Sequence, residues 1–115
     1  MFPSKARFPL KKEFHRLKKT SQMFQGKFFG LLLSPQETPL PHSRFAIIVS
    51  NKVSKKAVVR NKLRRYLSEV LKDYWFQIRK GFDGVFLLKK TAVGVSFQSF
   101  QKEVQLLLKK AKLFN

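Results

Sequence analysis

Between residues 57 and 80 the apolar side chains return every three to four positions, with no glycine or proline to interrupt them. A short apolar run lies on either side, residues 44–50 before it and 84–89 after it. This sandwiching of one long helical pattern between two strand-length runs constrains the fold more than any other feature. The long stretch reads as an amphipathic helix that stops at Gly81. The flanking runs are too short for comparable helices and read as strands. A helix with one oily side has to cover a sheet, so the chain belongs to the α/β (α+β) class.

The remaining segments add to that frame. Residues 1–9 contain Pro3 and Pro9 and are expected to be irregular. Residues 10–20 form a short helix with Leu10, Phe14 and Leu17 at spacings of four and three. Residues 27–33 follow Gly26 as a strand. Phe28 and Phe29 then point to opposite faces, one into the core and the other onto a face without helices. Pro35, Pro39 and Pro41 mark a loop. Residues 51–56 are a basic connector in which Ser54 or a neighbour caps the next helix. After a turn at 93–96, Ser96 or Ser99 caps a last helix carrying Phe97, Phe100, Val104, Leu107, Leu108 and Ala111. The order is α-β-β-α-β-α: one domain over residues 1–115, a sandwich of a small mixed sheet with packed helices.

Charge narrows the partners. The chain has 25 Lys and Arg against 6 Asp and Glu, a formal net charge of +19. Such a domain repels itself and favours anionic partners, nucleic acid first because each neutralised phosphate releases a counterion. At about 100° per residue, Arg60, Asn61, Arg64, Arg65, Ser68 and Lys72 project within about 140° of one another. Val59, Leu63, Tyr66, Leu67, Val70, Leu71 and Tyr74 project on a separate arc. Glu69 and Asp73 lie on the Lys62 flank, so no acid faces Arg60, Arg64 or Arg65. Lys52, Lys55 and Lys56 extend the patch upstream. Arg suits planar, bidentate phosphate contacts. In the first helix Lys11, Lys12, His15, Arg16, Lys18 and Lys19 surround Phe14. That interleaving suits single-stranded nucleic acid, although Phe14 would equally serve as a core anchor.

Other chemistries are poorly served. The chain has no cysteine, which removes disulfides, thiolate catalysis and Cys-ligated metal. His15 and His42 lack nearby carboxylates to orient them. The acids show neither paired-carboxylate spacing nor an oxygen-rich metal loop, and no Gly-rich phosphate loop occurs. No catalytic side chain and no metal ligand is assigned. No apolar run approaches the roughly 20 residues of a membrane span, and Met1–Arg7 holds no apolar signal core. A cytoplasmic protein is the expectation, with no membrane and no protein partner evident.

The block from Arg44-Phe45-Ala46-Ile47-Ile48-Val49-Ser50 through Asn51-Lys52-Val53-Ser54-Lys55-Lys56 to Ala57-Val58-Val59-Arg60-Asn61-Lys62-Leu63-Arg64-Arg65 resembles the bacterial ribonuclease P protein family. It matches that family's strand, basic connector and "RNR" helix in order and spacing. Weaker similarity covers Leu10–Phe14, Gly26–Phe29, Asp83–Lys90 and the last helix. The resemblance implies an α/β sandwich with a left-handed crossover near the RNR helix, an exception to the usual hand. It also implies an accessory subunit of an endoribonuclease. In that arrangement a partner RNA hydrolyses precursor tRNA with Mg²⁺ and releases the 5′ leader. Carried over by position, Lys52, Lys55, Lys56, Arg60, Asn61, Lys62, Arg64 and Arg65 face the catalytic RNA. Phe14, Lys18 and Lys27 fall in the leader-binding cleft. Lys62 replaces the motif's second Arg and loses the bidentate fork. Lys18 stands where many relatives have a second aromatic.

A ribosomal or nucleic-acid architectural protein is the alternative reading of the same basic face. A membrane-surface protein would want exposed Trp or Leu beside the charge. Trp75, near the apolar arc, is adequately explained by core packing.

Overall fold

Apolar periodicity becomes three helices: α1 over Leu10–Thr20, α2 over Ala57–Tyr74 and α3 over Phe97–Lys110. Strands β1 (Gln22–Gln25), β2 (Phe29–Pro35), β3 (Arg44–Ile48) and β4 (Phe82–Leu88) form one sheet in the order β1-β2-β4-β3. These elements come from a computed structural model describing residues 7–38 and 40–114. The expected irregularity of residues 1–6, the loop proline Pro39 and the side chain of Leu10 lie outside the described residues.

β1–β2 and β2–β4 pair antiparallel, and β3–β4 pair parallel. The sheet is therefore mixed, and α2 makes the β3-to-β4 crossover to which the left-handed expectation attaches. β1 is an addition to the three strands expected. Its sequence, Gln-Met-Phe-Gln, is short, polar and mostly exposed, and carries no hydrophobic run. Gly26 closes its turn, donating its N–H to the Phe29 carbonyl at 2.9 Å. Residues 27 and 28 fall in that turn, so strand alternation does not govern Phe28. It packs half-buried on the same core as Phe29 rather than on a face without helices.

α2 ends six residues earlier than the periodicity suggests. Trp75–Gln77 tighten into a 3₁₀ turn and Ile78 leaves in extended conformation. There Ile78 bridges Phe114, and Arg79 N–H donates to the Leu113 carbonyl at 2.6 Å. Pairing with the chain's last residues outcompetes continued helix. At the far end, Ser96 Oγ accepts from Ser99 N–H at 3.2 Å and caps α3.

The sheet separates two apolar layers. On one face Phe29, Leu31, Phe45 and Phe86 meet Leu63, Leu67, Val70 and Leu71 of α2 and Phe100, Val104, Leu107 and Leu108 of α3. Each of these buried side chains contributes about 1.5–3 kcal/mol. Gly84 makes this layer possible. A Cβ there would sit 2.9 Å from two ring carbons of Phe45 and 3.1 Å from Leu31 Cδ1. Gly84→Ala is expected to cost about 1–3 kcal/mol by overpacking. A lowered urea midpoint at unchanged slope checks this, and an unchanged midpoint would show that the Phe45 ring has room to give.

The opposite face is only partly covered. α1 buries Leu17 against Val85, and Phe8 joins them from the N-terminal side. Phe14, Leu32, Ala46, Ile48 and Leu87 complete this layer half-buried, leaving an apolar strip beside α1. Residues 7–9 form no helix or strand, but Arg7 and Phe8 are tied to β3. Arg7 bridges Phe45 in parallel, and Phe8 N–H donates to the Phe45 carbonyl at 2.9 Å. Residues 7–8 therefore line the open edge of β3.

Candidate nucleic-acid interface

The connector turns sharply before α2: Val53 N–H donates to the Ser50 carbonyl at 3.0 Å, and buried Val53 pins the turn to the core. Lys56 is the N-cap, in extended conformation and without a side-chain cap. Ser54 Oγ instead accepts from Lys56 N–H at 3.2 Å, one step before the helix. Arg60 Nη1 reaches back to the Ser54 carbonyl at 2.9 Å and ties the connector to the first turn of α2. Lys52, Lys55 and Lys56 remain exposed on that tied connector.

Along the helix, Arg64 Nη1 donates to Asn61 Oδ1 at 2.9 Å and Nη2 approaches the Val49 carbonyl at 3.5 Å. Arg60 and Arg64 are half-buried, while Asn61, Lys62 and Arg65 are exposed. A guanidinium has five N–H donors, so these internal bonds orient Arg60 and Arg64 and leave donors to spare. Lys62 Nζ sits 5.6 Å from the Tyr66 ring centroid, leaning toward the apolar side. The first turn of α2 holds no acidic residue, and the positive end of the helix dipole lies there. The structure thus groups all eight connector and helix residues at one end of α2.

Ser68 departs from the expected cationic arc. It is 1% exposed, because the line from Arg64 to Ser68 turns toward β3 and the N-terminal segment. The exposed arc is narrower than the helical projection suggests.

Phe14 lies half-buried on the α1 layer, with Lys18 Nζ 4.9 Å from its ring centroid. These two meet across one helical turn. Lys27 is tied elsewhere: its N–H donates to Glu103 Oε1 at 3.3 Å, and its carbonyl accepts from Thr91 Oγ1 at 2.6 Å. Its backbone is held by α3 and the Lys90–Ala92 3₁₀ turn rather than by α1.

Beside Phe14 lies a cluster that the sequence reading overlooked. Asp83 is fully buried in β4 and directly opposite Arg44 in the β3–β4 register. Arg44 Nε and Nη2 donate to Asp83 Oδ1 and Oδ2 at 2.9 and 2.8 Å, and Arg16 Nη2 donates to the same Oδ2 at 2.8 Å. Glu13 accepts from both arginines, from Arg16 and Arg44 Nη1 at 3.3 Å each. Gln36 Nε2 donates to Asp83 Oδ1 at 3.2 Å. The Arg16 Nε is buried without a hydrogen bond, and Glu37 Oε1 stands 3.8 Å from it. Arg44 is held above its ordinary pKa, chiefly by the hydrogen bond to Asp83, with burial opposing. The stability this brings is fully present below the ordinary guanidinium value and is lost only as pH rises past the raised one. It contributes no pH dependence near neutrality.

Arg16 and Glu13 flank Phe14 on α1, so this cluster fixes how α1 stands over the apolar strip. The signal available in the sequence was the pair of charged residues, Arg44 and Asp83, set into otherwise apolar strands. Among the described residues no group of three or more His, Asp or Glu is placed to hold a metal ion. The buried carboxylate is already engaged by arginines, so the cluster does not fit Mg²⁺. No helix among the described residues is long and apolar enough to cross a membrane.

Comparison with known proteins bears on this arrangement. The profile of the family described as Ribonuclease P matches residues 2–112. The chain is 32% identical over 116 residues to the ribonuclease P protein component of Microcystis aeruginosa, covering 98% of this chain and 96% of that protein. It is 40% identical over 74 residues to the corresponding Synechocystis protein, covering 64% of this chain and 60% of that one. The RNase P protein from Thermotoga maritima superposes with a TM-score of 0.80 at 30% identity, over 90% of this chain and 96% of that structure. From its strand order to its basic helix, this chain belongs to the ribonuclease P protein family.

Proposed function

We propose that the chain is the accessory protein subunit of ribonuclease P. It binds the catalytic RNA through the α2 end and its connector, and the 5′ leader of precursor tRNA through the strip beside α1. The chemistry, and the Mg²⁺ it needs, belong to the RNA. The observation that carries this reading is the grouping of Lys52, Lys55, Lys56, Arg60, Asn61, Lys62, Arg64 and Arg65 at one acid-free helix end. Internal bonds to Ser54 and Asn61 orient two of the arginines before any partner arrives. Preorganised cations lose less side-chain freedom on meeting phosphates.

The cleft reading rests on Phe14 and the half-covered strip of Leu32, Ile48 and Leu87. Lys18 over the Phe14 ring places a cation where a phosphate would follow a stacked base. The deciding experiment is cleavage of a 5′-extended precursor tRNA at low Mg²⁺ by the cognate RNA subunit, with and without the protein. Productive cleavage only in its presence is expected. Phe14→Ala should weaken leader-dependent binding by about 1–3 kcal/mol and leave a leaderless substrate unaffected. RNA binding without any response in cleavage would favour the alternative, a basic RNA-binding protein of the same fold.

A further inference from the structure

Two large apolar side chains stand almost free in solvent. Phe76 is 93% exposed and Val58 79%, the highest values among the large apolar residues described. Both belong to one line: at 3.6 residues per turn they project from the same side of α2, about 27 Å apart. Lys62, Arg65, Glu69 and Lys72 fall between them at alternating spacings of three and four, and all are exposed. α2 thus carries an outer ridge from Val58 to Phe76, opposite the Leu63, Leu67, Val70 and Leu71 side that packs on the sheet.

Phe76 is held out on that ridge by its neighbours. Trp75 keeps helical dihedrals and packs half-buried on the core. Ile78 is buried, donates its N–H to the Trp75 carbonyl at 3.3 Å and bridges Phe114. The 3₁₀ turn is anchored on both sides, and the ring between the anchors adds almost nothing to the core. Cations stand around it. Lys72 lies one helical turn before Phe76. Arg79 and Lys80 follow the turn, both exposed, and Arg79 Nη1 donates to the carbonyl of Lys112 at 3.2 Å, which brings a fourth cationic residue to this end of the helix. Against these four stand Asp73 and, two turns back, Glu69.

An aromatic face open to solvent beside cations suits an unpaired base and its phosphates. A second copy of this chain would bring its own charge of +19 to the contact. A membrane surface would ask for apolar residues along the whole ridge, whose middle is charged.

We propose that Phe76 is a stacking platform for one unpaired base of the catalytic RNA, at the far end of the ridge from the basic end of α2. Arg65 and Phe76 project within about 20° of each other and lie about 16 Å apart along the axis. An RNA that lies against Arg65 and follows the ridge therefore reaches the ring, with Lys72 and Lys80 placed for the phosphates on either side of the stacked base. The inference rests on the reading that the catalytic RNA lies along α2. It commits to that RNA rather than to precursor tRNA, because the strip beside α1 lies on the other face of the sheet.

The test is a substitution series at Phe76 in the full chain, read as affinity for the cognate RNA subunit over a range of KCl concentrations. Phe76→Ala is expected to weaken binding about tenfold at an unchanged salt slope, because no charge is removed. Phe76→Trp should bind like the parent, and Phe76→Leu should not. Full affinity in the Ala variant overturns the proposal, and so does full rescue by Leu, which would mean an apolar contact without stacking. The comparison of Trp with Leu holds even if one variant is less stable. With the RNA subunit saturated by protein, precursor tRNA should bind the Phe76→Ala holoenzyme as it binds the parent. A loss confined to that step would assign the ring to the substrate and overturn the proposal. An unchanged RNA affinity together with lost self-association, or with lost binding to phosphatidylglycerol vesicles, would overturn it in favour of those occupants. A parent that does not bind the RNA at all would instead refute the α2 reading itself, an outcome distinct from each of these.

Discussion

Asp83→Ala is expected to destabilise the protein by about 3–5 kcal/mol, lowering the thermal midpoint by roughly 12–20 °C. The reason lies in one oxygen. Arg16 Nη2 and Arg44 Nη2 both sit 2.8 Å from Asp83 Oδ2, so the fully buried carboxylate holds two like charges together. Without it the guanidiniums repel each other, and only the more exposed Glu13, at 3.3 Å from each, and Glu37, at 3.8 Å from Arg16, remain to offset them. The loss should be strongly non-additive. Arg44→Met made in the Asp83→Ala background should cost less than in the parent, because it removes a charge that has become unpaired. A double-mutant cycle by thermal denaturation measures this. Additive effects would show that the three groups act independently despite their distances.

On the proposed reading, Arg64→Ala combined with Arg65→Ala weakens assembly with the catalytic RNA and flattens the dependence of log affinity on log salt by about one to two units. The two arginines differ in kind. Arg65 is exposed, whereas Arg64 is half-buried and oriented by Asn61. Every phosphate left without its cation keeps its own counterion, so the slope reports how many phosphates are engaged while the intercept absorbs general effects. Asn61→Ala should mimic part of the Arg64 loss by freeing its guanidinium, without removing any charge. Binding isotherms over a range of KCl concentrations give both quantities. An unchanged slope in the double variant would remove this helix end from the RNA interface.

What the sequence displayed and what it concealed follow from locality. α1, α2 and α3 were legible because their apolar spacing is written in consecutive residues, and the cap of α3 was narrowed to Ser96 or Ser99, of which Ser96 is the one used. β1 was hidden because an exposed edge strand needs no hydrophobic pattern to pair, only a neighbour with free backbone groups. The end of α2 was hidden because its competitor, the pairing of Ile78 with Phe114, lies far along the chain. The basic end of α2 could be read directly, since cations there need no distant partner to be cations. Ser68 was misplaced for the opposite reason: a helical projection knows the angle of a side chain but not what lies across from it. The Asp83 cluster assembles residues 13, 16, 36, 44 and 83, and only the strand register brings them together.

The strand order β1-β2-β4-β3 places the last strand to be synthesised between two made earlier. During translation, β2 and β3 have no common neighbour until residues 82–88 have left the ribosome. The same segment delivers Asp83, the counter-charge for Arg16 and Arg44, and Gly84, the gap into which Phe45 packs. Sheet closure and charge neutralisation therefore arrive with one segment, and α3 completes the core only after it. A chain cut short before β4 lacks the strand that joins β2 to β3 and the carboxylate that holds α1 over the sheet. The two surfaces on either side of the sheet thus depend on the same late segment for their frame.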